Sequence, residues 1–567
     1  MPNTSYGFNQ SRPRTQVFLD ASGLGTSNVN SEKPLVLIGS ATGGQPGVPL
    51  AFSSYAQAKR TLRSGALLDA IEMAWNPSTN VGGAGQIYAV RADDATQATL
   101  TNVALTFKSN IYGADANGIQ VSLTDNALTS SKTLTVYDAQ DGYTKVYDNL
   151  GNIFTIQYKG AAASALVEIL VDATTKLATT LNLKTGTLGS ETIEKGYPLG
   201  AGIYQDVNVL VNDISNLGDW TVVMNTLGGN KNVQTQYLDA MTATAAKASA
   251  ITVKAVGADI VNQTISDPYI TVTFDKTKTV TNFAVTNLAG AHTNPPANTW
   301  STLFDAVANL GAYYVVPLSD QAALHGELAQ FLDDQAAQGN MMRGFVGGAI
   351  SETSAQLQTR QSGLRDARVA LVGNSGHRTM SDGRDLNFQG YLYAALVAGI
   401  ASGLAVGEPI TYKHTNITAL DGSFNSDDLD QLNAAGIIMS EFVRTRNGSY
   451  FRIVSDPTTY NDMAEPVQNR ISLGEISDFL SVDLRTLLDE QFIGSRLGNT
   501  SASILKNAVE SYLDQQVIAG TIVSYDPSNV SVIINGNVAT INFIVQPAQG
   551  LDYINCYITY QQDQLTA

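Results

Sequence analysis

The arrangement that most constrains this chain is an alternation of buried strands and helices that stops near residue 99 and resumes near residue 300. An apolar run ended by glycine, residues 34–39, precedes a helical stripe of apolar residues and then a second apolar run over 86–91. Strands that alternate with helices through short turns form parallel sheets. The sequence therefore predicts one α/β domain, residues 34–99 and 300–419, that is split by an insertion.

The insertion, residues 100–299, differs from its flanks in composition and in period. It is rich in Thr, Asn, Val and Tyr, and short runs such as 133–137 and 154–158 alternate apolar and polar residues between turn residues. A period of two residues is typical of half-buried strands. We therefore expect one or more β-rich inserted domains, in a chain of α/β class with an α+β multidomain organisation.

Residues 420–550 predict a C-terminal α+β domain with two helices, over 471–493 and 502–516, and a hairpin. The hairpin is predicted to turn at Asn535-Gly536, a pair that favours tight primed turns, and its second strand covers 539–545. The apolar positions that we assign to this hairpin are Val532, Ile534, Ile541 and Phe543.

The first of these two helices also carries charged residues, namely Glu475, Asp478, Asp483 and Arg485. A polar face that slides along a partner is one interpretation. A plain solvated face is the more common use of such residues and is the interpretation that we favour.

Both ends of the chain have the composition of arms. Residues 1–33, the N-terminal arm, are dominated by Gly, Ser, Asn and Pro around one apolar patch, Val17, Phe18 and Leu19. Ordering such a segment costs conformational entropy and buries little surface. Residues 551–567, the C-terminal arm, follow a break that contains Pro and Gly and include a predicted strand over 552–561. The positions that we assign to its contacts are Tyr553, Cys556, Ile558 and Tyr560. Each arm either pairs within its own chain or holds a partner.

The formal charge is −17, from 33 basic and 50 acidic residues. Such a surface repels the phosphates of nucleic acids and anionic lipids, so neither is expected as a partner. We find no apolar run long enough to span a bilayer and no signal peptide, so insertion into a membrane is not expected. The single cysteine, Cys556, excludes a disulfide within the chain.

No motif in the sequence predicts catalysis, a cofactor or a metal. The four histidines lack metal-ligand spacing, and there is no phosphate-binding Gly-Lys-Ser or Gly-Lys-Thr step. Ser375 follows an apolar run as a nucleophile would, but His377 occupies the position where the nucleophile elbow needs glycine. We therefore do not expect an enzyme.

A group of arginines is concentrated in the second part of the α/β domain. It is interpreted either as a solvated face or as a basic patch that meets an acidic surface of another copy of this acidic chain. The residues of this candidate patch are Arg360, Arg365, Arg368, Arg378 and Arg384.

Several stretches resemble a known family over nearly the whole chain. They are the helical run YAQAKRTLRSGALLDAIEMAW at 55–75, the Gly-rich turn and strand that end at Arg91, YDNLGNIFTIQYKG at 147–160 and DEQFIGSRLGNTSASILK at 489–506. In length and order these stretches resemble contractile tail sheath proteins, most closely those of large myoviruses such as staphylococcal and Listeria phages.

The resemblance implies a structural subunit of the virion, assembled in the host cytoplasm. It implies stacked hexameric rings around the tail tube, and a metastable sheath that contracts to drive the tube through the host envelope for genome ejection. Implied partners are further copies of the chain, the tail tube protein, and the baseplate and tail terminator proteins. A related bacterial injection device and another baseplate or tail protein stay open as alternatives.

The resemblance also implies that the arms are exchanged between subunits as added strands. Val17, Phe18 and Leu19 would belong to one arm, Tyr553, Cys556, Ile558 and Tyr560 to the other, and the hairpin would accept them. The insertion would then lie on the outer surface, and the C-terminal domain would face the tube.

Overall fold

A computed structural model of the chain describes residues 33–295, 300–422, 424–446, 448–462, 465–494, 501–552, 554 and 556–558. Helices and strands form several packed bodies, so the fold is a mixed α and β multidomain fold. Within these ranges, no helix is long and apolar enough to cross a lipid bilayer.

The largest sheet joins strands from two distant parts of the sequence. Leu35–Gly39 pairs in parallel with Ile87–Arg91 on one side and with Tyr314–Pro317 on the other. The chain therefore leaves this sheet after residue 91 and returns to it at residue 314. The strand order across the sheet is Leu50–Phe52, Ile87–Arg91, Leu35–Gly39, Tyr314–Pro317, Arg343–Gly347, Val369–Val372 and Ile437–Ile438, with the first pair antiparallel and the others parallel.

Helices cover both faces of this sheet. Successive strand residues point to opposite sides, and both sets of side chains are apolar, so both faces must be buried. Leu35 and Leu37 pack into one core, and Val36 and Ile38 pack into the other. The helices on the first face are Tyr55–Leu62, Ala66–Trp75 and Gly390–Gly403. Those on the second face are Trp300–Val307, Ala322–Ala337, Ser354–Ser362 and Ser426–Ala434.

The large sheet continues beyond residue 419, where the sequence places the end of the α/β domain. Ile437–Ile438 pairs with Val369–Val372. The two strands that follow it in the chain, Ser440–Thr445 and Gly448–Ile453, belong to a separate small sheet. Strands between residues 376 and 453 form two small sheets. Their strand orders are Asp385–Phe388, Gly376–Thr379, Ala419–Leu420, and His414–Thr415, Gly448–Ile453, Ser440–Thr445.

The inserted residues form two β-rich bodies, one nested within the other. The body nearer the large sheet has helix Val256–Gln263, the 3₁₀ turn Ala114–Gly118, and strands Asp94–Ala95, Gln97–Asn102, Leu105–Tyr112, Gln120–Asn126, Ser131–Asp138, Tyr143–Leu150, Ile270–Phe274, Phe283–Asn287 and Thr293–Asn294. The nested body has helix Val207–Ser215, the 3₁₀ turn Thr235–Tyr237, and strands Asn152–Tyr158, Ser164–Val171, Ala178–Thr187, Ser190–Pro198, Trp220–Met224, Met241–Ala245 and Ile251–Lys254.

Two buried arginines join the insertion to the large sheet. Arg63 follows helix Tyr55–Leu62, and its guanidinium lies 3.0 Å from the Asp138 carboxylate. Arg91 ends its strand and donates to the carbonyl oxygen of Tyr112 and to the Thr293 hydroxyl, at 3.0 Å and 3.2 Å. These two acceptors lie near the start and the end of the insertion. Arg91 therefore holds both segments of chain that connect the large sheet to the insertion.

The C-terminal residues pack around helices Ile471–Phe492 and Ala502–Ala519, which follow the short helix Pro466–Asn469 and precede the 3₁₀ turn Pro527–Asn529. The predicted hairpin forms between Ser531–Asn535 and Val538–Asn542. The predicted extent of its second strand is wrong, because the strand ends before Phe543. The chain then moves to a separate pair, in which Val545–Pro547 lies antiparallel to Ile522–Tyr525. Phe543 turns into the apolar core at this break.

Candidate functional site

The first turns of helix Ile471–Phe492 are buried between the large sheet and the C-terminal body. Ile471 packs into the core of the sheet, whereas Leu473 and Ile476 pack into the C-terminal core. Gly474 allows the closest approach, because a Cβ there would lie only 2.3 Å from an Arg343 guanidinium nitrogen. The start of this helix is therefore the joint between the two bodies.

Lys33 and Glu475 form a buried ion pair at this joint. The Lys33 ammonium lies 3.0 Å and 3.2 Å from the two Glu475 carboxylate oxygens, and both side chains are almost fully buried. Glu475 also accepts from the Tyr314 hydroxyl and from the backbone N–H of Gly407, the latter at 2.9 Å. Every charged atom of the pair thus has a partner, which is the condition for tolerating buried charge.

Asp478, one turn further along the same helix, is the acceptor in a second set of buried hydrogen bonds and ion pairs. It accepts from Arg343 Nε at 2.8 Å and from the Tyr313 hydroxyl at 2.9 Å. Arg368 adds contacts to both Asp478 oxygens, at 3.2 Å and 3.3 Å. We call these residues the helix-end cluster: Lys33, Tyr313, Tyr314, Arg343, Arg368, Glu475 and Asp478.

The electrostatics of the helix-end cluster suit a permanent joint. Burial raises the pKa of Tyr313 and of Tyr314 well above the usual range, so both phenols stay protonated and donate to the carboxylates. Lys33, Arg343 and Arg368 face Glu475 and Asp478, so attraction outweighs repulsion between nearest neighbours. The arrangement holds two bodies together and offers no free nucleophile or base.

The favoured interpretation of this helix as a solvated face is wrong for Glu475 and Asp478, which are buried. It holds for Asp483 and Arg485, which are exposed. Sequence reasoning missed Lys33 and both tyrosines. The available signal was a pair of carboxylates at i and i+3 on either side of the buried Ile476, with Gly474 beside the first of them.

The C-terminal arm begins at the same helix end. Asp552 forms a bidentate ion pair with Arg470, the residue before the helix, with N–O distances of 2.7 Å and 3.1 Å. Arg470 also lies 3.1 Å from the buried carboxylate of Asp456, which in turn accepts from the Ser472 hydroxyl. Asp552 and Lys33 are therefore tied to positions less than two turns apart on one helix.

The hairpin leaves apolar surface and strand edges without partners in the part of the chain that the structure describes. Among the described residues, its two strands pair only with each other. Val532, Ile534 and Ile541 are half-buried, but Ile533 and Val538 are about three-fifths exposed, at 62% and 60%. A two-stranded sheet is marginally stable by itself. Its outer edges are available to further strands.

The predicted arm contacts fall largely outside the described residues. This applies to Val17, Phe18 and Leu19, and to Tyr553 and Tyr560. Cys556 and Ile558 are described and exposed. The predicted strand over 552–561 is not formed by those of its residues that the structure describes.

The five arginines of the candidate patch have separate local roles. Arg360 pairs with Glu352, Arg368 joins Asp478, and Arg384 pairs with Asp69 and Asp382. Arg378 is buried, and its Nε and Nη1 atoms have no hydrogen-bond partner among the described atoms. Arg365 is exposed. Because three of the five are already neutralised by carboxylates of their own chain, they give little support to a single basic contact surface.

Ser375 and the histidines have structural surroundings. The Ser375 hydroxyl accepts from Ser351 N–H and donates to Asp421, at 2.9 Å and 3.1 Å, so it is not presented to a histidine. Among the described residues, no group of three His, Cys, Asp or Glu side chains could hold a metal ion.

His325 gives the core a predictable dependence on pH. It is fully buried, with Nε2 2.8 Å from the Ser319 carbonyl oxygen, and burial lowers its pKa from 6.5 to about 4. Between these pH values the unfolded chain therefore binds more protons than the folded chain. The contribution of the neutral, buried His325 to the free energy of unfolding is fully present above pH 6.5 and is lost as pH falls towards 4. We expect His325→Gln to remove up to about 3 kcal/mol of this dependence from urea unfolding curves.

The comparison must be made between the two proteins at each pH, because Asp366 acts in the opposite direction. Burial raises the pKa of Asp366 from 3.8 to about 6, so its contribution is present below pH 3.8 and is lost as pH rises towards 6. Parallel stability curves for the wild type and His325→Gln between pH 4 and 6.5 would contradict the assignment to His325.

Comparisons with known proteins agree over nearly the full length of the chain. It is 48% identical over 559 residues to a tail sheath protein assigned in Enterococcus phage phiEF24C, with 98% of each chain covered. It is 40% identical over 581 residues to the tail sheath protein of Staphylococcus phage Twort, again with 98% of each covered. No protein-family model matches the chain.

A solved structure has the same fold at low sequence identity. The crystal structure of the sheath tail protein from Desulfitobacterium hafniense superposes with a TM-score of 0.56 at 14% identity, covering 96% of this chain and 97% of that one. Two relatives at 40% identity or more, aligned from end to end, show common descent and not only a common fold. The chain therefore belongs to the family of phage tail sheath proteins.

Proposed function

We propose that the chain is a non-enzymatic subunit of a contractile sheath, and that it polymerises as stacked hexameric rings around the tail tube. The sheath would contract to drive the tube through the host envelope for genome ejection. The observation that carries this proposal is the hairpin Ser531–Asn535/Val538–Asn542, whose edges and apolar surface lack partners within the described chain. Membership of the tail sheath family supports the same conclusion.

The arms supply the missing strands in this proposal. The patch Val17, Phe18 and Leu19, and the strand residues Tyr553, Cys556, Ile558 and Tyr560 of a second copy, add to the sheet that contains Val532, Ile534 and Ile541, beside Phe543. Each ladder hydrogen bond contributes about 0.5–1.5 kcal/mol, and the ladder does not fix the angle between whole subunits. Subunits can therefore rotate during contraction while the polymer stays connected.

The domain organisation follows from the same proposal. Residues 34–99 and 300–419 form the split core, supported by the sheet that takes strands from both segments. The insertion faces outward, where the nested body has room, and the C-terminal body faces the tube. The partners are other copies of the chain, the tube protein, and the baseplate and terminator proteins of the tail. The sheath assembles in the host cytoplasm and becomes part of the virion.

No nucleotide, cofactor or metal drives contraction in this mechanism. The extended polymer is a kinetic trap, formed at assembly, and a trigger at the baseplate releases it to a state of lower free energy. Subunits must then move as rigid bodies, which is consistent with the fully bonded joint at the helix-end cluster.

The arm contact can be tested by truncation. A protein that lacks residues 1–27 is expected to remain a folded monomer, by circular dichroism and size-exclusion chromatography, but to form no tubes. Replacing Val17, Phe18 and Leu19 with serine should have the same effect. The matched control, Asn28→Ala with Asn30→Ala in the same arm, should assemble normally. Normal tubes from the truncated protein would refute the exchange of this arm.

A further inference from the structure

Both arms leave the body of the subunit at one end of one helix. Lys33 is the last residue of the N-terminal arm and contacts Glu475, whereas Asp552, near the start of the C-terminal arm, contacts Arg470. These contacts are separated by about 520 residues of sequence but meet within the first turns of helix Ile471–Phe492.

The two attachments differ in strength. The root of the N-terminal arm is fixed by side chain and backbone together: the Ser402 hydroxyl donates to the Lys33 carbonyl oxygen at 2.5 Å, and the Tyr313 N–H donates to that of Pro34 at 2.9 Å. Lys33 itself is fully buried. The Arg470 and Asp552 side chains, by contrast, are 34% and 31% exposed, so solvent and salt weaken that pair.

We propose that the start of helix Ile471–Phe492 is the common anchor of both arms, and that Lys33 and Glu475 are the positioning residues that pass load from the N-terminal arm into the subunit. This inference rests on the proposed exchange of arms between subunits. A force applied to residues 1–32 is transmitted first to Lys33, and the Lys33 side chain contacts the helix directly through Glu475. The load therefore reaches the core sheet, through Tyr314, and the C-terminal body, through the helix, at the same point.

The buried pair also explains why a charged residue stands at this position. An apolar residue could fill the same space, and isosteric apolar pairs are often as stable as buried ion pairs. A directional pair of charge-assisted hydrogen bonds, however, resists displacement of one partner from the other. The Tyr314 hydroxyl and the Gly407 N–H hold Glu475 from two further sides, so the acceptor cannot follow the arm.

The test uses the double variant Lys33→Met/Glu475→Gln in the full-length chain. It removes both charges and leaves no unpaired buried ion, so the fold should persist. The matched control is Lys231→Met/Asp259→Asn, which neutralises an equally buried pair, 2.6 Å apart, within the insertion. Hydrogen exchange of the monomer measures the anchor, and electron microscopy of sheared tubes measures its mechanical effect.

At the Gly407 amide we expect exchange about 10-fold faster than in wild type for Lys33→Met/Glu475→Gln, and unchanged exchange for the control. Tubes of the anchor variant should form and then break into short lengths under shear, while control tubes stay long. Unchanged exchange at Gly407, or equal breakage of control tubes, would overturn the inference. If wild type forms no tubes, the proposed function fails, and the exchange rates still decide whether this pair fixes the root.

Discussion

Asp478→Ala should destabilise the joint between the large sheet and the C-terminal body by about 3–5 kcal/mol. The substitution removes the carboxylate that faces Arg343 Nε at 2.8 Å and both contacts from Arg368. Arg343 would remain buried with a full positive charge and one fewer acceptor, and an unpaired buried charge costs far more than a lost surface contact. Urea unfolding curves measure the loss in the free energy of unfolding, and hydrogen exchange in helix Ile471–Phe492 shows whether the loss is located at this joint.

Glu490→Ala is the matched control for this substitution. It removes a carboxylate from the same helix, but Glu490 is exposed, so the change should stay within about 0.5 kcal/mol. Equal stability of Asp478→Ala and wild type would show that the helix-end cluster does not hold the two bodies together.

Asp259→Ala should have a comparable effect at a different place, the contact between the two bodies of the insertion. Asp259 accepts from the Lys231 ammonium and from the Gly151 N–H, each at 2.6 Å. Both charged side chains are fully buried, and among the described residues the Asn149 carbonyl oxygen, at 2.7 Å, is the one acceptor that would still face the Lys231 ammonium. We expect a loss of about 3–5 kcal/mol, confined to the insertion, with rapid proteolysis inside residues 152–255.

The double variant Lys231→Met/Asp259→Asn separates the cost of an unpaired charge from the loss of packing. It should recover most of the stability, because no buried ion is left alone. The exchange of amides near Glu475 should not change in either protein. A loss spread evenly over the whole chain would contradict the assignment of this pair to the insertion alone.

Local patterns in the sequence predict two neighbouring strands of the large sheet. The apolar runs over 34–39 and 86–91 predict Leu35–Gly39 and Ile87–Arg91, because strands buried on both faces are apolar over most of their length. Between helices Tyr55–Leu62 and Ala66–Trp75, Gly65 adopts a φ of 112°, which favours glycine. Such features depend only on residues that are close in sequence.

Features that depend on distant partners were not predictable in this way. Ile437–Ile438 is a short apolar run, and nothing local shows that it pairs with Val369–Val372. The nested bodies of the insertion share one composition, so no shift in composition marks the boundary near residue 151. Glu475 and Asp478 looked solvated because their cations, Lys33 and Arg343, are more than a hundred residues away.

The arms illustrate the same limit for function. Composition predicts an N-terminal arm but gives no position for it. The contact between Lys33 and Glu475 and the contact between Asp552 and Arg470 lie close together, and no sequence pattern predicts either of them. The edges of the hairpin in the C-terminal body have no strand partner among the described residues, and the proposed exchange of arms gives these edges a function that the Asn-Gly pair alone does not predict.

Negative-stain electron microscopy of the purified full-length chain, alone and with the tube protein of its tail, tests whether this chain polymerises as a sheath. We expect hollow, ribbed tubes of uniform diameter, with sixfold symmetry in end views. Dispersed globular particles under both conditions would contradict the proposal that this chain polymerises as a sheath.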